Sequence, residues 1–177
     1  MKKEVNLFLG SSIIYQWDTC YYFSDYNNLN LGVEGLTIES INKSFYPKID
    51  TVTSMKIKNI IVYIGSNDIV KNNSKVENIL SNIISFLFFL RETFPKSNII
   101  YIAILKTPRR TDTQKKKLDY INKKMKDYSQ KTNIFHFCNF NRELQYNDNY
   151  QIDRNHLSKK GYTILSHHLL SFISSNI

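Results

Sequence analysis

The chain has 177 residues, 42% of them hydrophobic and 22% charged, the balance of an ordinary globular protein rather than a disordered or fibrous one. That length reads as one domain spanning 1–177, able to bury most of the surface its unfolded form exposes. A net charge of +9 invites a nucleic-acid reading, but no recognition motif accompanies it, and the lysines come with many Asn and Ile, the bias of an AT-rich genome.

Taken in chain order, the opening MKKEVNLFLGSS pairs two lysines with a short apolar run. Asn6 interrupts that run, Gly10-Ser11-Ser12 ends it, and no small-residue cleavage site follows. A first strand over 5–10 is expected instead, with a helix starting near Ser12. NNLNLG (27–32) predicts a weaker strand ending at a glycine, and LTIESINKSFY (36–46) a helix that stops before Pro47. NIIVYIG (59–65) is a continuous β-branched run, the pattern of a strand buried on both faces. Ser74-x-x-Glu77 has the spacing of a capping box for a helix running to about Phe94, before Pro95. Its apolar stretch 79–90 is too short and too interrupted to span a bilayer, and carries more apolar residues than one face needs. Monomer and homodimer both stay open on that count.

NIIYIAIL (98–105) predicts a fourth strand, and Thr111-x-x-Gln114 a cap for the lysine-rich helix after it. In that helix Leu118, Ile121, Met125 and Tyr128 fall on one face, which leaves the lysines mostly on a solvated other face. NIFHFCNF (133–140) predicts a fifth strand, and Ser158 to about Ser174 the final helix. Cys20 and Cys138 have no metal-ligand spacing and read as free thiols in a reducing, cytoplasmic setting. Neither a metal nor a cofactor is expected.

The sum is α/β: a three-layer α/β/α sandwich around a five-stranded parallel sheet, whose ligands bind outside the C-terminal strand ends. The chemically suggestive residues fall at those ends. Each has an ordinary explanation alone: Gly-x-Ser as a capped turn, Gly-x-Asn-Asp as another turn, Asp-x-x-His as a polar loop. Together they supply the parts for acyl transfer. Ser12 is the candidate nucleophile, His156 the general base, and Asp153 the group that orients the imidazole. The N–H groups of Ser12 and Gly32 and the side-chain amide of Asn67 are candidate oxyanion donors. Glycine suits position 32 on this reading because a side chain would obstruct the approach of substrate to the backbone.

Four blocks in this order resemble the SGNH (GDSL-type) hydrolase superfamily: LGSSI (9–13), NLGVEGLT (30–37), IGSNDI (64–69) and DRNHLSKKGY (153–162). The resemblance covers essentially the whole chain. It implies a flavodoxin-like strand order of 2-1-3-4-5, a Ser12–His156–Asp153 triad, and an oxyanion hole of Ser12, Gly32 and Asn67. One position departs: Ser11 stands where the first block usually holds Asp. Trp17 is similar to the smaller acetylhydrolase-like members, and a core tryptophan explains it equally well.

An α/β-hydrolase is excluded, because its nucleophile elbow needs Gly-x-Ser-x-Gly and position 14 is Ile. His136 and Cys138 share one face of the fifth strand, a pairing read first as core packing. His167 and His168 have no acid at a telling spacing. The expected substrate is a small acyl ester, such as acetyl on a sugar or alcohol. Arg109 and Arg110, in the loop after the fourth strand, could contact an anionic one. An O-acyltransferase would use the same residues, and a non-catalytic binding module the same fold.

Overall fold

The computed structural model describes residues 4–71 and 75–176. Five strands form one parallel sheet: β1 (Glu4–Gly10), β2 (Asn27–Asn30), β3 (Lys56–Tyr63), β4 (Asn98–Ile102) and β5 (His136–Cys138), ordered β2-β1-β3-β4-β5. Between β1 and β2 come α1 (Ser12–Tyr15) and α2 (Thr19–Tyr22), and between β2 and β3 come α3 (Ile41–Ser44) and α4 (Ile49–Thr53). Then α5 (Asp68–Lys71) and α6 (Val76–Thr93) precede β4, α7 (Asp112–Lys131) precedes β5, and α8 (Lys159–Asn176) follows it.

The strands read as near-continuous apolar runs because both faces are covered. Successive side chains alternate between two cores. Leu7, Leu9, Ile60, Val62, Ile99 and Tyr101 point into the layer of α6 and α7. Phe8, Ile61, Tyr63, Ile100 and Ile102 point into the layer of α1 and α8. The three-layer sandwich and its strand order are as expected.

At the amino end of the sheet an asparagine row crosses four strands in register. Asn6 donates to Asn28 (3.4 Å), Asn59 to Asn6 (2.9 Å) and Asn98 to Asn59 (2.9 Å). A slip of one residue would turn this row into the opposite core and break all of its bonds, so the row holds the register.

Three stretches differ from expectation. Residues 36–46 are not one helix: a 3₁₀ turn at Ile38–Ser40 leads into α3, and a second at Tyr46–Lys48 leads into α4. Pro47 sits in the first turn of the second, where its missing N–H costs nothing, so it starts a segment instead of ending one. The expected strand is cut short at Ile102: Ala103 N–H still donates to Cys138 C=O of β5 at 2.7 Å, but Asn122 of α7 takes Ile104 N–H and donates to Ile104 C=O, both at 2.9 Å. β5 is cut to His136–Cys138.

The predicted Ser74 cap lies outside the described residues, and Lys75 precedes α6. The Thr111–Gln114 box is formed, with Gln114 N–H on Thr111 Oγ1 at 3.2 Å and Thr111 N–H on Gln114 Oε1 at 3.1 Å. Leu118, Ile121 and Met125 are buried while Lys116, Lys117, Lys123, Lys124 and Lys126 are exposed. The surplus phenylalanines of α6 mostly pack inward: Phe86 is buried, and Phe89 lies 4.6 Å from the Tyr46 ring. No helix among the described residues is long and apolar enough to cross a membrane.

Candidate active site

The corner that carries Ser12 is built from buried backbone. β1 ends at Gly10, and Ser11 N–H then donates to Tyr63 C=O at 3.0 Å, which locks the turn onto the end of β3. Ser11 precedes α1 in extended conformation, and its fully buried Oγ has no hydrogen-bond partner among the described residues. The serine at this position is thus a small polar group in a closed space. Ser12 opens α1 and keeps 8% of its surface exposed. As a first-turn residue its N–H has no acceptor within the helix. Trp17 is a core residue, 2% exposed, edge-on to Phe8, with Nε1 donating to Ser166 Oγ at 2.9 Å.

The histidine corner is a loop closed on itself. Tyr150 and Leu157 pair across its base, Gln151 N–H donates to His156 C=O (2.8 Å), and Arg154 N–H donates to Gln151 C=O (2.8 Å). Arg154 takes φ 58° at the tip. One carboxylate organises the rest. Asp153 Oδ1 accepts from the N–H groups of Asn155 (2.9 Å) and His156 (3.0 Å), while Oδ2 lies 2.5 Å from His156 Nδ1. Burial alone would raise the Asp153 pKa, but the two amides and the imidazole outweigh it and hold the carboxyl below its ordinary value. An ionised carboxylate can only accept, so Nδ1 carries the proton and Nε2 is left to accept. Ser158 has a separate task, taking Gly161 N–H at 3.2 Å at the start of α8.

Two hydrogen bonds tie the helix that begins at Ser12 to this part of the chain, one from α8 just beyond the loop and one from the loop itself. Tyr162 Oη donates to Ile13 C=O at 2.9 Å, and Gln151 Nε2 to Gln16 Oε1 at 3.2 Å. No hydrogen bond joins Ser12 to His156 among the described residues. Catalytic hydrogen bonds of this kind commonly tighten only once substrate is bound.

Asn67 follows β3, and its Nδ2 donates to Leu36 C=O at 2.9 Å. Next to it the fully buried Asp68 accepts Ile38 N–H on both oxygens, at 3.0 and 3.1 Å. These two side chains staple the loop after β2 to the loop after β3. Asp68 was not singled out from sequence; its only signal is a second polar residue beside Asn67 at a strand end.

Gly32 is needed for a reason other than the expected one. A Cβ there would lie 2.3 Å from Tyr15 N and 2.8 Å from Ile14 C, so glycine lets α1 pack against the loop. Its N–H donates to Asn30 Oδ1 at 2.9 Å. Gly35, three residues on, has φ 69° and precedes Leu36, the residue whose carbonyl takes the Asn67 amide.

The arginines divide. Arg109 is exposed, with its N–H on Arg154 C=O at 3.0 Å, and Arg110 is half-buried. Cys138 is buried and its thiol pKa is pushed up by that burial, which disfavours the nucleophilic thiolate. Burial, and then Arg91, lower the His136 pKa, and its ring packs edge-on to Phe172 at 6.3 Å. His167 is exposed, and His168 lies against Phe140 at 6.2 Å. No group of three His, Cys, Asp or Glu among the described residues could hold a metal ion.

A parallel α/β/α sandwich that gathers a serine, an Asp–His pair and amide donors at the carboxyl edge of its sheet is built as acylhydrolases are. The chain belongs to the GDSL-like Lipase/Acylhydrolase family, whose model matches residues 22–169, a span that holds Gly32, Asn67, Asp153 and His156 but begins after Ser12. It is thus an ester hydrolase by family. Solved structures share the fold: a GDSL-like lipase from Bacteroides thetaiotaomicron is 19% identical, with TM-score 0.75 over 99% of this chain and 89% of that one. A member of the lipolytic G-D-S-L family from Veillonella parvula is 15% identical, with TM-score 0.79 over 97% of this chain and 99% of that one. An acetylxylan esterase from Geobacillus stearothermophilus is 19% identical, with TM-score 0.73 over 97% and 94%. No curated protein sequence matches the chain.

Proposed function

We propose that the protein cleaves small acyl esters through an acyl-Ser12 intermediate. The observation that carries this reading is the Asp153–His156 contact at 2.5 Å, in a loop whose Gln151 bonds Gln16 at the end of the helix that Ser12 begins. His156 Nε2 takes the Ser12 hydroxyl proton as Oγ attacks the carbonyl carbon. The imidazolium, stabilised by Asp153, then gives that proton to the departing alcohol oxygen. Water attacks the acyl-serine, loses a proton to His156, and the acid leaves as Ser12 regains its hydrogen.

The oxyanion takes hydrogen bonds from Ser12 N–H and Asn67 Nδ2. The third donor moves from Gly32 to Gly35. Gly35 takes a positive φ of 69° and adjoins the carbonyl that positions Asn67. A small acyl group on a sugar is favoured by the fold shared with an acetylxylan esterase.

Hydrolysis of para-nitrophenyl acetate, with stoichiometric labelling of Ser12 by a fluorophosphonate, is the expected result. A protein that neither turns over the ester nor takes the label ends this reading.

A further inference from the structure

Building on the ester-hydrolase reading, we propose that the natural substrate carries an anionic group that Arg110 binds in a cleft beside the acyl site. The cleft has a volume of about 340 Å³, and its lining includes Asn67, Arg109, Arg110, Gln114 and Asn155. Two of these residues place it. Asn67 is a candidate oxyanion donor, and Asn155 lies between Asp153 and His156. A substrate with its carbonyl at Ser12 therefore extends naturally into this space.

The loop from β4 to α7 is laced to the histidine loop by Thr107 Oγ1 on Asn155 Oδ1 (3.2 Å) and by Arg109 N–H on Arg154 C=O (3.0 Å). Arg110 N–H turns back onto Thr107 C=O at 3.0 Å, and the side chain is half-buried. Its Nε is closed off from solvent and has no hydrogen-bond partner among the described residues. None of the ion pairs among those residues includes Arg109 or Arg110. Burial lowers the Arg110 pKa, the phenol of Tyr63 opposes that, and Arg109 adds to it.

A guanidinium drawn out of water without a carboxylate is costly, and structures keep such groups where something else satisfies them. Its planar fork matches a two-oxygen anion. Thr111, the N-cap of the 20-residue α7, also lines the cleft, so the helix contributes positive potential there. No Asp or Glu among the described residues lines it. Carboxylate, sulfate and phosphate share the required chemistry.

The test uses aryl acetates that differ in one substituent: para-acetoxybenzoate, para-acetoxyphenyl sulfate and para-acetoxyphenyl phosphate against the neutral para-acetoxybenzamide, each rate divided by its hydroxide-catalysed rate. The wild type should favour at least one anion by about tenfold or more in kcat/KM, mainly through KM. That preference should shrink as salt rises, and the fastest arm names the anion. Arg110→Gln should bring the anion-to-neutral ratio close to one, Arg110→Lys should keep part of it, and Lys56→Gln, at the amino end of the sheet, should leave it unchanged. If Arg110→Gln does not fold, Arg110→Lys and the salt dependence of the wild type decide.

Equal turnover of all four esters by the wild type overturns the proposal. So does an Arg110→Gln protein that slows anionic and neutral esters alike, since a purely structural arginine would do that. If no ester is cleaved, the hydrolase reading fails separately. Calorimetric binding of para-hydroxybenzoate, present in the wild type and lost in Arg110→Gln, then still supports the anion site, and its absence in the wild type overturns it.

Discussion

The two halves of the proposed catalytic pair are held in opposite ways. Ser12 stands on backbone: the turn before it is bonded to Tyr63 C=O, and Ser11, Ile13 and Ile14 around it are buried. His156 stands on a side chain: its loop is largely exposed, and a single carboxylate accepts two loop amides as well as the imidazole. Ser12 is thus placed by the core, and His156 by one ionised residue. Changes in packing should move the first, and changes in Asp153 the second.

The largest effect expected is on the nucleophile itself. Ser12→Ala should keep the fold and lower kcat by about 10⁴-fold or more, measured on para-nitrophenyl acetate. Asp153 separates the two roles of its carboxylate. Asp153→Asn can still accept the loop amides, but it presents an N–H to Nδ1 and forces the wrong tautomer; kcat should fall about 10⁴-fold with little change in Tm. Asp153→Ala should lose activity and also loosen the loop, seen as faster hydrogen exchange over 151–157. If Asn and Ala behave alike in both assays, the double role is wrong.

The glycines test the core-held side. Gly32→Ala puts a methyl 2.3 Å from Tyr15 N, so α1 must shift, with a stability loss of about 1–3 kcal/mol read from thermal melts. Gly35→Ala carries a strain of only about 1–2 kcal/mol from its positive φ, and should act mainly on kcat if its N–H serves the oxyanion. The reverse pattern would return the donor role to Gly32.

The smallest effect is acid sensitivity. The Asp153 pKa is lower folded than unfolded, so its contribution to stability is complete above the unfolded value, about 3.9. It is lost as pH falls through the folded value. Thermal melts should show no Asp153-dependent change from neutral pH to about 4, then a decline that Asp153→Ala lacks. The side chain is about a third exposed, so the amplitude is small.

Much of this was legible in the chain. The β-branched runs at 59–65 and 98–105 announced a covered parallel sheet, because only burial on both faces tolerates strands without polar alternation. The Thr111–Gln114 box and the amphipathic lysine helix were equally readable, since capping and helical periodicity act within a few residues. The helix expected over 36–46 was misread because Pro47 breaks a helix from inside but suits the first turn of a new one, and local pattern cannot tell the two apart. The strand expected to reach residue 105 cannot continue through Ile104, because Asn122, 18 residues away, takes both of its peptide groups.

Residue pattern alone gave the fold class, gave the strand order through its resemblance, and nominated the serine, histidine and aspartate of the proposed triad. Each of these rests on short-range pattern or on ordered motifs. Only the tertiary structure decided that Gly32 serves the α1 contact, that Asp68 staples two loops, and that Arg110 is withdrawn from water while Arg109 is not. Those facts depend on which groups meet across the sheet edge. Adjacent arginines look identical in a sequence; folding closes off the Nε of one and leaves the other exposed in the same cleft.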